Sequence, residues 1–349
     1  MGLPCGTHNY SYAQDMAILR TRTHWVLLVI LIAFVFTAPL YWSNYWLSVA
    51  NLIGITLIAA MGLNILTGYC GQLSFGHVGF IAVGAYTSAV LTGVLGLPFL
   101  VGLIAGGVAA GLVGLLFAVP SLRVKGFYLV ITTIAAQFII IWVIKHLEFT
   151  RGEGGITVPH ASIGGLALAS EASQFYLIMV IAVICIFLAK NLARTKTGRA
   201  FVTIRDNDLA AKAMGINLFS HKLLAFFIGC FWAGIAGSLL AHWMGSISPN
   251  NFTFIESLLY LGMIVIGGLG TTLGPILGVI FIRLLQQGMM FLAPTVEAAF
   301  TALPAGSAGG IALMVFGLVI VLFLILEPKG LAHRWMLFKA AYRLWPFSY

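Results

Sequence analysis

Solidly apolar runs alternate with short polar breaks along almost the whole chain, near residues 25–41, 47–66, 77–95, 97–118, 126–147, 173–189, 222–244, 257–270, 274–293 and 309–326. Most approach the roughly 20 apolar residues that carry a helix across the hydrocarbon core of a bilayer. The pattern predicts an all-α, polytopic membrane protein of about ten transmembrane helices. Stretches such as 26–40 and 311–326 lack the period-two alternation of a membrane β-barrel. The resulting division is a polar segment 1–24, a membrane domain 25–326 interrupted by one long polar loop at 190–221, and a tail 327–349. Segment 1–24 lacks the short apolar core and small-residue cleavage site of a removable leader, so the first run is expected to stay as a helix. Ten helices split into two sets of five, and because five is odd the second set would cross in the opposite sense. That is the arithmetic of two five-helix inverted repeats. Two glycine-rich stretches, 68–84 and 262–278, fall at the third helix of each set, although their weak mutual match leaves the repeat open.

Composition sharpens this. Of 349 residues, 61% are apolar and 8% charged, where a soluble domain carries about a quarter charged. Forty glycines suit closely packed membrane helices. The four cysteines, Cys5, Cys70, Cys185 and Cys230, stand singly and read as free packing thiols without a metal or redox site. With the N-terminus placed in the cytoplasm, 15 of the 18 Lys and Arg residues fall in cytoplasmic segments; Lys145 and Arg151 lie outside and Arg283 within a span. This partition predicts both termini cytoplasmic. The net charge of +9 then anchors helices to an anionic leaflet, and nucleic-acid binding is a poor reading.

Polar chemistry concentrates in two places. Between Asn64 and Gly84, Gly68, Gly71, Gly76 and Gly79 interrupt the helix pattern while Asn64, Thr67, Gln72, Ser74 and His77 bring hydrogen-bonding groups near membrane depth. Broken helix there is tolerated only when buried in protein or lining a wet cavity. The segment reads as a pathway lining or gate, with a tight cytoplasmic turn as the alternative and direct contact of His77 with substrate disfavoured. The second stretch contains Gly267, Gly268, Gly270, Thr271, Thr272 and Gly274, and reads equally as gate or as close helix packing. Arg283 follows within an apolar run and must pair, snorkel or face water; Glu256 and Glu297, both expected at the outer boundary, are the nearest acids in sequence. A structural ion pair is preferred over a carboxylate clamp. All nine acids are expected in loops or at span edges, so no carboxylate relay of a proton-driven transporter is evident. The chain also lacks a GxxxxGK[ST] nucleotide loop.

The loop 190–221 suggests where energy enters. Asp206 or Asn207 is a good N-cap and Gly215 a good C-terminal stop, enclosing about two turns of helix. Asp208 and Lys212 can pair on one face, while Leu209, Ala213 and, more loosely, Ala210 and Met214 leave apolar surface. So short a helix must dock on something, and a cytoplasmic partner is preferred over the chain's own spans.

Three segments now carry a resemblance: NILTGYCGQLSFGHVGFIAVGAY at 64–86, GRAFVTIRDNDLAAKAMGIN at 198–217 and GGLGTTLGPILG at 267–278. In that order they resemble the permease subunits of branched-chain amino acid ABC importers, and the N-terminal region is similar to the LivM branch. The resemblance implies a bacterial inner-membrane permease that pairs with a LivH-type permease, two cytoplasmic ATPases and a periplasmic binding protein. It implies no cofactor in this chain, ATP and Mg being held by the ATPases. It also implies that Arg205, Asp206, Asn207, Asp208, Leu209, Ala211, Lys212, Met214 and Gly215 belong to a helix that couples to an ATPase. The general importer pattern EAAxxxG appears here with Leu209 in place of the Glu, so a Glu-specific contact is in doubt, although Asp208 lies one place earlier. Branched-chain amino acids are the implied substrates, with urea, short amides or other small carboxylates as alternatives. A secondary transporter and an intramembrane enzyme are the rival classes; neither a carboxylate relay nor a HExxH or Ser-His-Asp arrangement supports them.

Overall fold

The computed structural model describes residues 22–121, 127–164, 166–299, 307–327 and 329–344. Each apolar run satisfies its own backbone groups by coiling, the only open-ended solution in lipid. The helices are α1 (Arg22–Thr37), α2 (Asn44–Leu63), α3 (His77–Gly93), α4 (Phe99–Ser121), α5 (Phe127–His146), α6 (Glu171–Arg194), α7 (Lys196–Asp206), α8 (Asp208–Ala213), α9 (Leu218–Met244), α10 (Phe254–Gly267), α11 (Leu273–Ala299), α12 (Ser307–Leu326) and α13 (Leu331–Leu344). The ten expected runs correspond to α1–α6 and α9–α12. Seven helical stretches among the described residues are long and apolar enough to cross a membrane, and α1, α3 and α12 contain shorter apolar ones.

The core is built from α2, α3, α4 and α9. Small residues allow this: a Cβ on Gly84 of α3 would overlap the backbone of Gly234 on α9, one on Gly106 of α4 would overlap Ser238, and one on Gly62 of α2 would overlap the Gly229 carbonyl. Backbones that approach so closely gain dispersion contacts that lipid cannot supply. Gly84→Val should therefore destabilise the bundle by about 3 kcal/mol, the upper end of overpacking, because the obstructing atoms are backbone. Thermal unfolding in detergent checks it; an unchanged midpoint would refute the packing. Around this core, Leu27, Ile30, Leu31 and Phe34 of α1 and Phe138 and Trp142 of α5 stand exposed, as a lipid-facing rim does.

The two sets of five helices interlock. The second helices, α2 and α9, pack together; α9 packs on α3 and α4 of the first set, and α2 packs on α10 and α11 of the second. The two glycine-rich stretches are not counterparts in this exchange. By chain position the loop before α3 corresponds to the loop before α10 at 245–253, whereas the stretch 268–272 follows α10.

Residues 70–76 lead the chain from the end of α2 back into the bundle, with Gln72 and Ser74 buried and Gly71 and Leu73 exposed. After α2 the chain makes one wide π turn at Asn64–Tyr69. The first residue of α3 is then fixed by His77 Nε2 against the Ala59 carbonyl at 3.0 Å. Ala59 lies about ten residues back along α2, or about 15 Å, so α3 begins inside the bundle. Helix α10 is also short, and its Ser257 Oγ accepts a hydrogen bond from the Val78 amide at 3.1 Å. The opposite end is closed by β1 (Ile156–Thr157), antiparallel to β4 (Ser246–Ile247), and by the small hairpin β2 (Ser162–Ile163) and β3 (Leu166–Ala167). Cys70, Cys185 and Cys230 are free and buried, as expected of packing thiols; Cys5 lies outside the described residues.

Candidate functional site

The long polar loop contains two helices. Helix α7 was not anticipated, although Thr195 caps it, with Oγ1 accepting from the Gly198 amide at 3.2 Å, and Ala200, Phe201 and Ile204 recur on its buried face. Arg205 and Asp206 close α7 and do not open the coupling helix, which corrects the expected span. Asn207 is the cap of α8: its Oδ1 accepts from the Leu209 amide at 2.9 Å and the Ala210 amide at 3.0 Å. Gly215, at φ +80°, ends the turn in the left-handed region. The expected i,i+4 partner of Asp208 was Lys212, but its Oδ2 meets Lys222 Nζ at 3.0 Å, tying α8 to the first turns of α9. Ala211 is buried, whereas Leu209 is 77% and Met214 75% exposed. Leu209 on α8 and Met214 at its C-terminal cap thus leave apolar surface exposed at this end of the bundle.

At the end of α7 the two glycine-rich stretches meet. Asn64 is fully buried, its Nδ2 donating to the Thr271 carbonyl at 2.9 Å and its Oδ1 accepting from the Gly270 amide at 3.0 Å. One side-chain amide thus satisfies both groups of the α10–α11 turn, which Gly268 at φ +114° and Gly270 at φ +72° make possible. Thr271 donates its Oγ1 hydrogen to the Gly268 carbonyl and accepts from the Gly274 amide, both at 3.0 Å. Gly267 lets α11 close on α10, since a Cβ there would overlap the Gly274 carbonyl. Gly68 completes the joint: a Cβ would overlap Asn64 Oδ1, and its carbonyl accepts from Arg205 Nη1 at 2.9 Å. Arg205 also lies over Gly71 and Gly270 and is held by Asp206 through Nε at 3.0 Å and Nη2 at 2.9 Å. The end of α7 is thereby wired to both stretches.

The remaining polar residues between Asn64 and His77 that were singled out, Thr67, Gln72, Ser74 and His77, are buried. Thr67 Oγ1 donates to the Gln72 carbonyl at 3.0 Å, Gln72 Nε2 reaches the Cys70 carbonyl at 3.4 Å, and Ser74 Oγ and His77 Nδ1 have no hydrogen-bond partner among the described residues. The stretch is thus a packed, hydrogen-bonded joint in this conformation. Arg283 is paired as expected with Glu256, Nη2 standing 3.8 Å from Oε2; its Nε donates to Thr56 Oγ1 at 3.2 Å and its Nη1 to Gln286 Oε1 at 2.9 Å. The side chain of Glu297 lies outside the described residues. Glu256 lies in the first turn of α10, at the edge of its span, and Thr56 lies midway along the apolar stretch Asn44–Tyr69. The tail contains α13, which packs back through Ala332 against Gly268.

Residues 45–324 match the family described as the branched-chain amino acid transport system permease component. The chain is 30% identical to the high-affinity branched-chain amino acid transport system permease protein LivM of Escherichia coli, over 87% of this chain and 74% of that protein. The chain belongs to this family. It is also 29% identical to the LivM protein of Salmonella typhimurium, over 87% of this chain and 73% of that protein, and 23% identical to LivH of Escherichia coli, over 64% and 80%. No solved structure matches it. Membership and the apolar helices together make it a multi-pass inner-membrane transport permease.

Proposed function

We propose that this chain is one translocating subunit of an ATP-driven importer for leucine, isoleucine and valine, with α7 and α8 on the cytoplasmic side and both termini there. A LivH-type permease completes the pathway, two ATPases hold ATP and Mg and dock on α8, and a periplasmic binding protein delivers substrate to the end closed by β1 and β4. The observation that carries this reading is the exposure of Leu209 on α8 and Met214 at its cap, next in the chain to α7, whose Arg205 reaches Gly68 and Gly270. Closure of the ATPases on ATP would pull α8, shift Arg205 and strain the Asn64 joint. The joint, with Gln72, Ser74 and His77 behind it, then acts as the cytoplasmic gate, a two-state element that the partner biases.

Co-reconstitution with the partner proteins in liposomes tests this. Leucine uptake should require both internal-facing ATPases with ATP and the loaded binding protein outside, and should be insensitive to dissipation of ion gradients. Gradient-driven accumulation by the chain alone would overturn it. Delivery and uptake of urea or a short amide instead of leucine would reassign the substrate.

A further inference from the structure

Positive charge gathers at the bundle end that carries α7 and α8, away from the joint. Lys190 and Arg194 stand in the last two turns of α6, four residues apart and so on one face. Lys339, far along the chain on α13, lies within electrostatic reach of Lys190. All three are half-buried, and among the described residues none is paired with a carboxylate. The acids described at this end are already engaged, Asp206 by Arg205, Asp208 by Lys222 and Glu327 by Arg334. Helix α6 has 24 residues, a length of about 36 Å against a hydrocarbon core of about 30 Å, so its last turn reaches the headgroup layer.

Helix α13 adds a second, independent observation. Its start is pinned, with Gly330 and Ala332 against Gly268, and it packs on α11. Beyond that anchor Trp335, Met336, Leu337, Phe338 and Tyr342 are all exposed, and the rings of Trp335 and Phe338 stack with centroids 5.9 Å apart. Lys339 follows Trp335 by four residues, so one face of α13 offers an aromatic ring and an ammonium together. Aromatic and cationic groups in that arrangement suit a helix lying in the membrane interface. Three half-buried cations repel one another until an anion stands between them. A phosphodiester meets the need, taking the planar fork of Arg194 and the point charges of Lys190 and Lys339. A soluble anion would leave the rings in water, whereas a phospholipid covers them with its acyl chains.

We infer that Lys190, Arg194 and Lys339 form a binding site for the head of an anionic phospholipid, whose acyl chains lie along the aromatic face of α13. The inference goes beyond the importer reading and does not depend on it. Thermal unfolding of the full chain in dodecyl maltoside, titrated with dioleoylphosphatidylglycerol, tests it. This lipid should raise the midpoint saturably, while dioleoylphosphatidylcholine and inorganic phosphate at the same concentration should not. Lys190→Gln combined with Lys339→Gln should raise the half-saturating concentration about thirtyfold, at about fivefold for each cation beside a headgroup. Lys196→Gln combined with Arg199→Gln, which removes the same charge from exposed positions on α7, should change it less than about twofold. Without the lipid, Lys190→Gln alone should raise the midpoint, because it relieves repulsion; at saturating lipid it should lower the midpoint relative to the unmodified chain. A merely structural lysine would lower it under both conditions. Native mass spectrometry, which does not rest on the unfolding transition, should find phosphatidylglycerol retained on the unmodified chain and lost from the Lys190–Lys339 double variant. An equal response to inorganic phosphate would make this a soluble-anion site. An equal loss in the α7 pair would reduce it to diffuse surface attraction. Release of the ATPases from the assembled complex by the Lys190–Lys339 double variant, with an unchanged lipid response, would give the cluster to a protein partner. Any of these three results overturns the lipid site.

Discussion

Leu209→Glu combined with Met214→Glu abolishes ATP-driven uptake while the membrane bundle still folds and inserts. The two side chains are 77% and 75% exposed, and neither belongs to the buried core, so their replacement leaves intramolecular packing intact. Docked into a partner groove, each would contribute about 2 kcal/mol of apolar burial. Losing both weakens docking by about 4 kcal/mol, or roughly a thousandfold in the binding constant, before the cost of burying two carboxylates is added. Asn207, Asp208 and Lys222 remain, so α8 keeps its cap and its tie to α9. The measurement is co-purification of the ATPases together with leucine uptake in proteoliposomes. The double variant should insert normally, elute with an unchanged thermal midpoint, lose the ATPases and lose transport. Normal uptake by a double variant would remove α8 from the coupling path altogether.

The parts of this molecule that could be read from its sequence are those governed by local rules. Apolar runs became helices because lipid leaves no other way to satisfy the backbone, and α8 was visible because Asn207 and Gly215 are cap residues with direct conformational meaning. The ion pair was foreseeable because an intramembrane Arg283 demands a partner. Helix α7 was passed over because its apolar positions are few and its charged residues dominate the window, although Ala200, Phe201 and Ile204 carried the signal. The joint was illegible for a different reason. Asn64 and Gly270 are separated by 206 positions, and nothing local in either glycine-rich stretch names the other. Arg205 was assigned to the wrong helix, and its bond to Gly68 spans 137 positions.

That joint yields the second large effect. Asn64→Leu preserves shape but leaves the Gly270 amide and the Thr271 carbonyl without their buried partner, each at a cost of about 1–3 kcal/mol. Gly68→Ala attacks the same place from the other side, because its Cβ overlaps both Asn64 Oδ1 and the Gly270 amide nitrogen. Each variant should open the contact between the π turn of α2 and the α10–α11 turn by itself, lowering ATP-driven uptake at least about thirtyfold, the equivalent of about 2 kcal/mol. Once the contact is open the second substitution has nothing further to break. The double variant should therefore be hardly worse than either single one, with a coupling energy of about 2 kcal/mol in a double-mutant cycle on uptake and on thermal stability. Two unconnected packing defects would instead add. Because α8 is untouched, the ATPases should remain bound and hydrolyse ATP in all three variants, which separates a broken transmission from a lost partner. Strict additivity, or release of the ATPases by Asn64→Leu, would show that the two glycine-rich stretches do not work as one gate.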